Sequence, residues 1–128
     1  MFEYIFIIDD SEIDAFILRR LLKMKGYPDA KIKTFSYARI ALEYLNEWNN
    51  TNNALPLPDL IFLDINMADM SGLEFLDQFH KLNKDILDYT KIIVISSSDD
   101  PDDIALSSSY KNVFRYITKP LDDVSFVF

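Results

Sequence analysis

Leu60-Ile61-Phe62-Leu63-Asp64 is the stretch whose reading decides the fold. Four large apolar residues in a row, entered through the breaker run Leu55-Pro56-Leu57-Pro58-Asp59, read as a short strand buried on both faces. Strands of that kind belong to parallel sheets covered by helices. The run ends in a carboxylate. Open α/β sheets take their ligands in the crevice outside the carboxyl ends of the strands, so an acid at that position marks a site if other strands bring complementary groups to the same edge.

Working outward, Tyr4-Ile5-Phe6-Ile7-Ile8 is a second continuous apolar run, and it too ends in acids, Asp9-Asp10. Lys91-Ile92-Ile93-Val94-Ile95 runs into Ser96-Ser97-Ser98, where counting from the strand end selects Ser96. Val113-Phe114-Arg115-Tyr116-Ile117-Thr118 delivers Lys119, followed by Pro120. Lys31-Ile32-Lys33-Thr34-Phe35 alternates instead, as a half-exposed edge strand does, and its lysines blunt that edge.

Helical patterns fill the intervals. After Ser11-Glu12, residues Ile13, Phe16, Ile17, Leu21 and Met24 form an apolar stripe, which Gly26 and Pro28 stop. Ala38, Ala41, Leu42, Leu45 and Trp48 form the next, running out in the polar loop Asn49-Asn50-Thr51-Asn52-Asn53. Ser71-Gly72-Leu73-Glu74 has capping-box spacing for a helix through Leu82, with Phe75, Leu76, Phe79 and Leu82 inward. Asp100-Pro101 reads as an N-cap with proline at the first helical position. The single histidine, His80, reads as a surface side chain away from the crevice. Strands alternating with helices predict an α/β domain with a doubly wound, five-stranded parallel sheet. Right-handed crossovers and the buried character of the first, third, fourth and fifth runs give the strand order 2-1-3-4-5, that of flavodoxin-like sheets.

The 128 residues suffice for one domain, 1–128, with a single core. A net charge of −8 argues against tracking nucleic acid or an anionic membrane. The absence of cysteine removes disulfides, thiolate metal sites and a cysteine nucleophile, and fits a reducing compartment. The N-terminus lacks the basic region of a signal peptide and no apolar run has membrane-spanning length, so the expected location is the cytoplasm.

At the sheet edge, then, Asp9, Asp10, Asp64, Ser96 and Lys119 converge from four segments. Two carboxylates about 4 Å apart repel by about 4 kcal/mol at an effective dielectric of 20, so three in one crevice call for a cation. Oxygen donors without His or Cys select a hard ion, and Mg²⁺ is the natural one. With it, Asp64 is placed to act as a nucleophile toward phosphorus, with Lys119 and Ser96 contacting the transferring phosphoryl oxygens.

This conjunction resembles a response-regulator receiver domain over nearly the whole chain, and in particular the stand-alone, chemotaxis-regulator-like receivers with Asp-Asp-Ser-Glu and Ser-Ser-Ser-Asp-Asp-Pro strand ends. The resemblance implies that Asp64 is the phosphoacceptor. It implies that Asp10, Asp64 and the backbone carbonyl of Asn66 bind Mg²⁺ directly, that Asp9 helps through water, and that Lys119 contacts the phosphoryl group. It further implies a switch, in which Ser96 moves toward the phosphate and Tyr116 changes rotamer, altering the face made by the fifth strand and the helix before it. The implied donor is a sensor histidine kinase or a histidine phosphotransfer protein, and the implied output is an unknown downstream protein. The chain departs from the family at Ala68, where proline is usual and whose absence loosens the loop after Asp64, and at Arg115, which makes the output surface locally more basic. Only eight residues follow Pro120, so the last helix is expected to be short or truncated.

Such a protein is not an enzyme in the turnover sense; self-phosphorylation and autodephosphorylation are its only chemistry. The main alternative is a haloacid-dehalogenase-type Mg²⁺-dependent phosphatase, whose Asp-x-Asp start Asp64-Ile65-Asn66 echoes but with Asn66 in place of the general acid. A phosphorylation-independent binding module is the other, and it is expected to lack the metal acids or the lysine.

Overall fold

The computed structural model describes residues 2–50 and 56–121. Within them the order is β1 (Ile5–Ile8), α1 (Glu12–Met24), a 3-10 turn (Asp29–Lys31), β2 (Ile32–Phe35), α2 (Ala38–Asn50), β3 (Leu60–Asp64), α3 (Gly72–Phe79), α4 (Lys84–Tyr89), β4 (Lys91–Ser96), α5 (Pro101–Ser108) and β5 (Val113–Thr118). All neighbouring strands are parallel, in the order β2-β1-β3-β4-β5. This is the doubly wound, flavodoxin-like sheet that the buried runs imply. At its centre lies β3, every residue of which is buried.

Strand alternation sends side chains into two cores. Phe6, Ile8, Ile61, Leu63, Ile92 and Val94 pack with Ala41 and Leu45 of α2 and with Phe75, Leu76 and Phe79 of α3. On the other face, Ile5, Ile7, Leu60, Phe62, Ile93 and Ile95 pack with Ala15, Leu18 and Leu22 of α1. Phe6, Phe62, Phe75 and Phe79 are fully buried, which contributes about 1.5–3 kcal/mol each. Asp59, in the breaker run, accepts from the backbone N–H groups of Glu3 (2.8 Å) and Tyr4 (3.1 Å), fixing the entry of β1 beside that of β3.

Several expectations are corrected. The stripe Ile13, Phe16, Ile17, Leu21 and Met24 is not the buried face of α1: Ile13, Phe16 and Met24 are 73%, 62% and 77% exposed. Ala15, Leu18 and Leu22 are buried in their place. The helix carries two apolar stripes, and its phase is set at its N-terminus, where Ser11 caps it, and by Ala15, small enough for close approach to the sheet. Helix α3 ends at Phe79, short of Leu82; Asn83 then caps the separate helix α4, its side chain accepting from Asp85 N. Helix α2 continues through Asn50, the second residue of the expected loop, and residues 51–53 of that loop lie outside the described residues. The fifth run is not buried: β5 is a sheet edge, and of its residues only Val113 is buried. The expectation of a short last helix falls on residues 122–128, outside the described residues.

β5 also carries a bulge. Val113 pairs with Ile92 but Arg115 with Ile93, leaving Phe114 as the extra residue. Without it, regular alternation turns Arg115 toward the core that Val113 enters. With it, Tyr116 packs on that core and Arg115 stays exposed.

Candidate functional site

The register brings the strand ends level. Ile8 lies opposite Leu63, so Asp9 emerges beside Asp64; Asp64 pairs with Ile95, so Ser96 is one residue further on; and Ser96 pairs with Thr118, so Lys119 follows. Two backbone bonds carry the sheet geometry past the strand ends, Asp9 N to Phe35 O (3.0 Å) and Lys119 N to Ser96 O (2.8 Å). Lys119-Pro120 is a cis peptide.

Asp9, Asp10 and Asp64 each offer a carboxylate oxygen, and these oxygens lie within 4.8 Å of one another. Asp9 and Asp64 are buried, while Asp10 is exposed. The Lys119 ammonium stands 2.9 Å from Asp9 Oδ2, 3.7 Å from Asp64 Oδ2 and 2.8 Å from Asp14 Oδ2. Burial pushes the Asp64 carboxyl up to about 7, with the neighbouring Asp9 charge adding to it, while Lys119 and the Asn66 N–H oppose the shift. For Lys119, burial works against the ammonium, but the hydrogen bonds it donates to Asp14 and Asp9 and the charges of Asp64 and Asp9 outweigh it and hold the group above the usual lysine range. Lys119 therefore contacts three carboxylates, those of Asp9, Asp14 and Asp64, and with Asp10 the crevice sets four carboxylates against one ammonium, a shortage of positive charge. An all-oxygen cluster with that shortage fits a hard divalent cation.

Ser96, the residue chosen from the serine run, is fully buried, whereas Ser97 is exposed. Its Oγ accepts from Asn66 Nδ2 (3.0 Å) and from Ser98 N (3.1 Å). Both lone pairs are thereby engaged, and its own O–H is left to donate. Asn66 thus reaches Ser96 through its side chain, a link that its expected role as a backbone carbonyl ligand gives no hint of. Tyr116 Oη donates to Ser98 O (2.7 Å), joining β5 to the loop that Ser96 begins. Across the crevice, Ala68 N donates to Asp10 Oδ2 (3.2 Å). A proline there has no N–H to give, so the departure at Ala68 ties the loop to Asp10.

Gly72 shapes the floor. A Cβ at Gly72 falls 2.6 Å from the backbone oxygen of Asp64 and 2.7 Å from Ile65 Cα. The Ser71 cap on Glu74 N (3.1 Å) then starts α3 directly beneath the Asp64 loop, as the Ser-x-x-Glu spacing implies.

The structure brings together Asp9, Asp10, Asp64, Asn66, Ser96 and Lys119, and links Tyr116 to them through Ser98. Sequence reasoning missed Asp14, whose Ser11-x-x-Asp14 spacing reads as helix capping alone. It placed His80 away from the crevice but at the surface, whereas the side chain is half-buried: its Nδ1 lies 2.8 Å from Leu76 O and its Nε2 3.0 Å from Asn112 Oδ1. Leu76 O can only accept, so Nδ1 carries a proton toward it, and Asn112 turns its Nδ2 to Leu87 O (2.6 Å) and Thr90 O (2.7 Å) while its Oδ1 faces Nε2. His80 therefore belongs to a polar network joining α3, α4 and the start of β5, away from the crevice.

Comparison with known proteins converges on one family. The family model for the response regulator receiver domain matches residues 5–127. Response regulator Rcp1 of Synechocystis is 29% identical over 115 residues, covering 90% of this chain and 75% of that protein. Other curated relatives are longer, and the chain spans 22% of the length of one of them. Among solved structures, a two-component response regulator from Cytophaga hutchinsonii superposes with a TM-score of 0.80 at 27% identity, covering 94% of this chain and 88% of that one. The phosphorylated cyanobacterial phytochrome response regulator RcpA superposes with a TM-score of 0.75 at 27% identity, covering 95% and 84%.

Proposed function

The chain belongs to the response regulator receiver family, and on that premise we propose that Asp64 takes a phosphoryl group from a phosphohistidine on a sensor kinase or phosphotransfer protein. Receiver domains are signalling modules of two-component systems, and this one has the acidic cluster at which they bind Mg²⁺. The observation that carries the reading is the meeting of Asp64, Asp9, Asp10 and Lys119 at one crevice. Asp9, Asp10, Asp64 and the Asn66 carbonyl would hold Mg²⁺. When bound, the ion supplies positive charge that keeps Asp64 ionised and offsets the charge on the phosphoryl oxygens.

The chain's own residues do the rest. One Asp64 carboxylate oxygen attacks phosphorus as the bond to the donor nitrogen breaks, and the electron pair leaves with the imidazole. The Lys119 ammonium, 3.7 Å from Asp64 Oδ2, lies within reach of a phosphoryl oxygen placed on that carboxylate. Ser96, its lone pairs engaged by Asn66 and Ser98, donates its O–H to another. Movement of Ser96 toward the phosphate pulls on the Ser98 loop, and through the Ser98 O bond on Tyr116. That couples the phosphate to the exposed face of β5 and α5, where a downstream protein docks.

The chemistry goes no further than self-phosphorylation and loss of the phosphoryl group to water. The phosphatase alternative requires an acid at position 66, where Asn66 instead donates to Ser96. Among the described residues no helix is long and apolar enough to cross a membrane. The kinase reading puts the chain in the cytoplasm with its donor. Intact-protein mass after incubation with Mg²⁺ and acetyl phosphate tests the reading. A hydroxylamine-labile gain of one phosphoryl group, absent from Asp64→Ala, is expected; no gain, with beryllofluoride also failing to bind, overturns it.

A further inference from the structure

The shortest contact of Lys119 is to a residue outside the constellation that the strand ends deliver. Asp14 Oδ2 stands 2.8 Å from the ammonium, against 2.9 Å for Asp9 and 3.7 Å for Asp64. Asp14 is the third residue of α1, and its backbone N–H is capped by Ser11 Oγ at 3.2 Å. With that Ser-x-x-acid spacing the acid ordinarily reaches back to the N–H of the capping serine. Here Asp9 Oδ1 already holds the Ser11 N–H, at 2.9 Å. The helix makes no call on the Asp14 carboxylate, which turns to Lys119.

Resting on the reading that this crevice holds a divalent cation and phosphorylates Asp64, we propose that Asp14 is a positioning residue. It tethers Lys119 on the α1 side of the crevice and keeps the ammonium, paired with Asp9 at 2.9 Å, from closing on Asp64, which stands at 3.7 Å. A lysine ammonium has three N–H donors. Asp14 and Asp9 take two, which leaves one for a phosphoryl oxygen arriving at Asp64. Without Asp14 a second donor falls free beside Asp64, and the ammonium closes on Asp9 and Asp64 together, the two buried carboxylates. An incoming cation then has to displace it. Ile17, Leu18 and Ile95 wall the small cleft beside the Asp14–Lys119 pair, so water screens the pair weakly on that side.

The test is Mn²⁺ uptake by the full chain, followed by electron paramagnetic resonance, with manganese as a paramagnetic stand-in for magnesium. Asp14→Ala is expected to weaken binding by about threefold, the scale of a partly exposed ion pair, and Asp14→Glu to restore it. Lys119→Ala should tighten binding by removing the competing cation. In the Lys119→Ala background, Asp14→Ala should change nothing further. If the loss persists in that background, Asp14 acts on the metal by its own charge and the tether is wrong; no loss in the single variant also overturns it. A parent chain that takes up no manganese overturns the underlying reading itself, a different and distinguishable failure.

Discussion

Asp64 shows how much a single residue can set against the fold it serves. Its carboxyl moves from an ordinary value of 3.8 up to about 7 because it is buried and because Asp9 stands beside it. Between those values the folded chain holds a proton that the unfolded chain has released, so stability falls as pH rises from about 4 to about 7. At most about 4 kcal/mol is involved, taking 1.36 kcal/mol per pH unit. Asp64→Asn in chelator is therefore expected to melt several degrees above the parent at pH 7.5 and level with it near pH 4. Asp10→Asn should show a smaller gain, since Asp10 is exposed and water screens it. Equal melting of Asp64→Asn and parent at pH 7.5 would sink this account. Asn112 makes the opposite case. Its amide satisfies Leu87 O, Thr90 O and His80 at once, so Asn112→Ala strands three polar partners and should cost about 2–3 kcal/mol. Asn112→Asp, which presents an oxygen to two carbonyls, should cost more; urea titration decides. Neither His80 nor Asn112 was legible in the sequence as a partner of the other, because they lie 32 positions apart and no pattern of spacing joins them.

At the scale of elements, the sequence marked where strands end far better than how helices are turned. A parallel strand buried on both faces must be a continuous apolar run, so its end is visible as the first polar residue, and Asp9, Asp64 and Ser96 all stood out in this way. Lys119 follows the edge strand β5, which already holds Arg115 and Thr118, and it was marked by the proline after it rather than by the end of an apolar run. A helix needs only a stripe. α1 has two, and what chose Ala15, Leu18 and Leu22 over Ile13, Phe16 and Ile17 was the docking of its first turn, which no periodicity records. The bulge at Phe114 is silent for a like reason, since an extra residue in a strand leaves the run looking continuous. The close approach of α3 to the Asp64 loop was half visible, as a cap motif with a glycine inside it. Gly72→Ala forces a methyl against the Asp64 carbonyl, so it should destabilise by about 1–3 kcal/mol. Because the backbone that must yield is that of Asp64, phosphorylation by acetyl phosphate should slow by about tenfold or more. Loss of stability with unchanged phosphorylation kinetics would mean that the loop gives way without carrying Asp64 with it.

At the scale of the whole molecule, the order 2-1-3-4-5 makes the site a property of the tertiary fold. β1, β3, β4 and β5 each contribute a group, and Lys119 meets Asp9 across 110 positions of sequence. No short segment can hold the cluster, so a cation that binds it binds the native state alone, and the binding energy adds to global stability. Buried carboxylates that weaken the empty fold and a cation that selects the folded one are two aspects of the same electrostatics. Mg²⁺ at about 100 times its dissociation constant should therefore raise the unfolding free energy by about 2.7 kcal/mol over the chelated protein. The gain should shrink in Asp10→Asn, which removes a ligand while leaving both cores intact, and persist undiminished in His80→Gln, whose network lies elsewhere. Melting curves across a magnesium series would show this as a rise in midpoint with concentration. A midpoint that ignores magnesium in the parent, or one that rises equally in Asp10→Asn, would mean that the three carboxylates meet without forming a metal site.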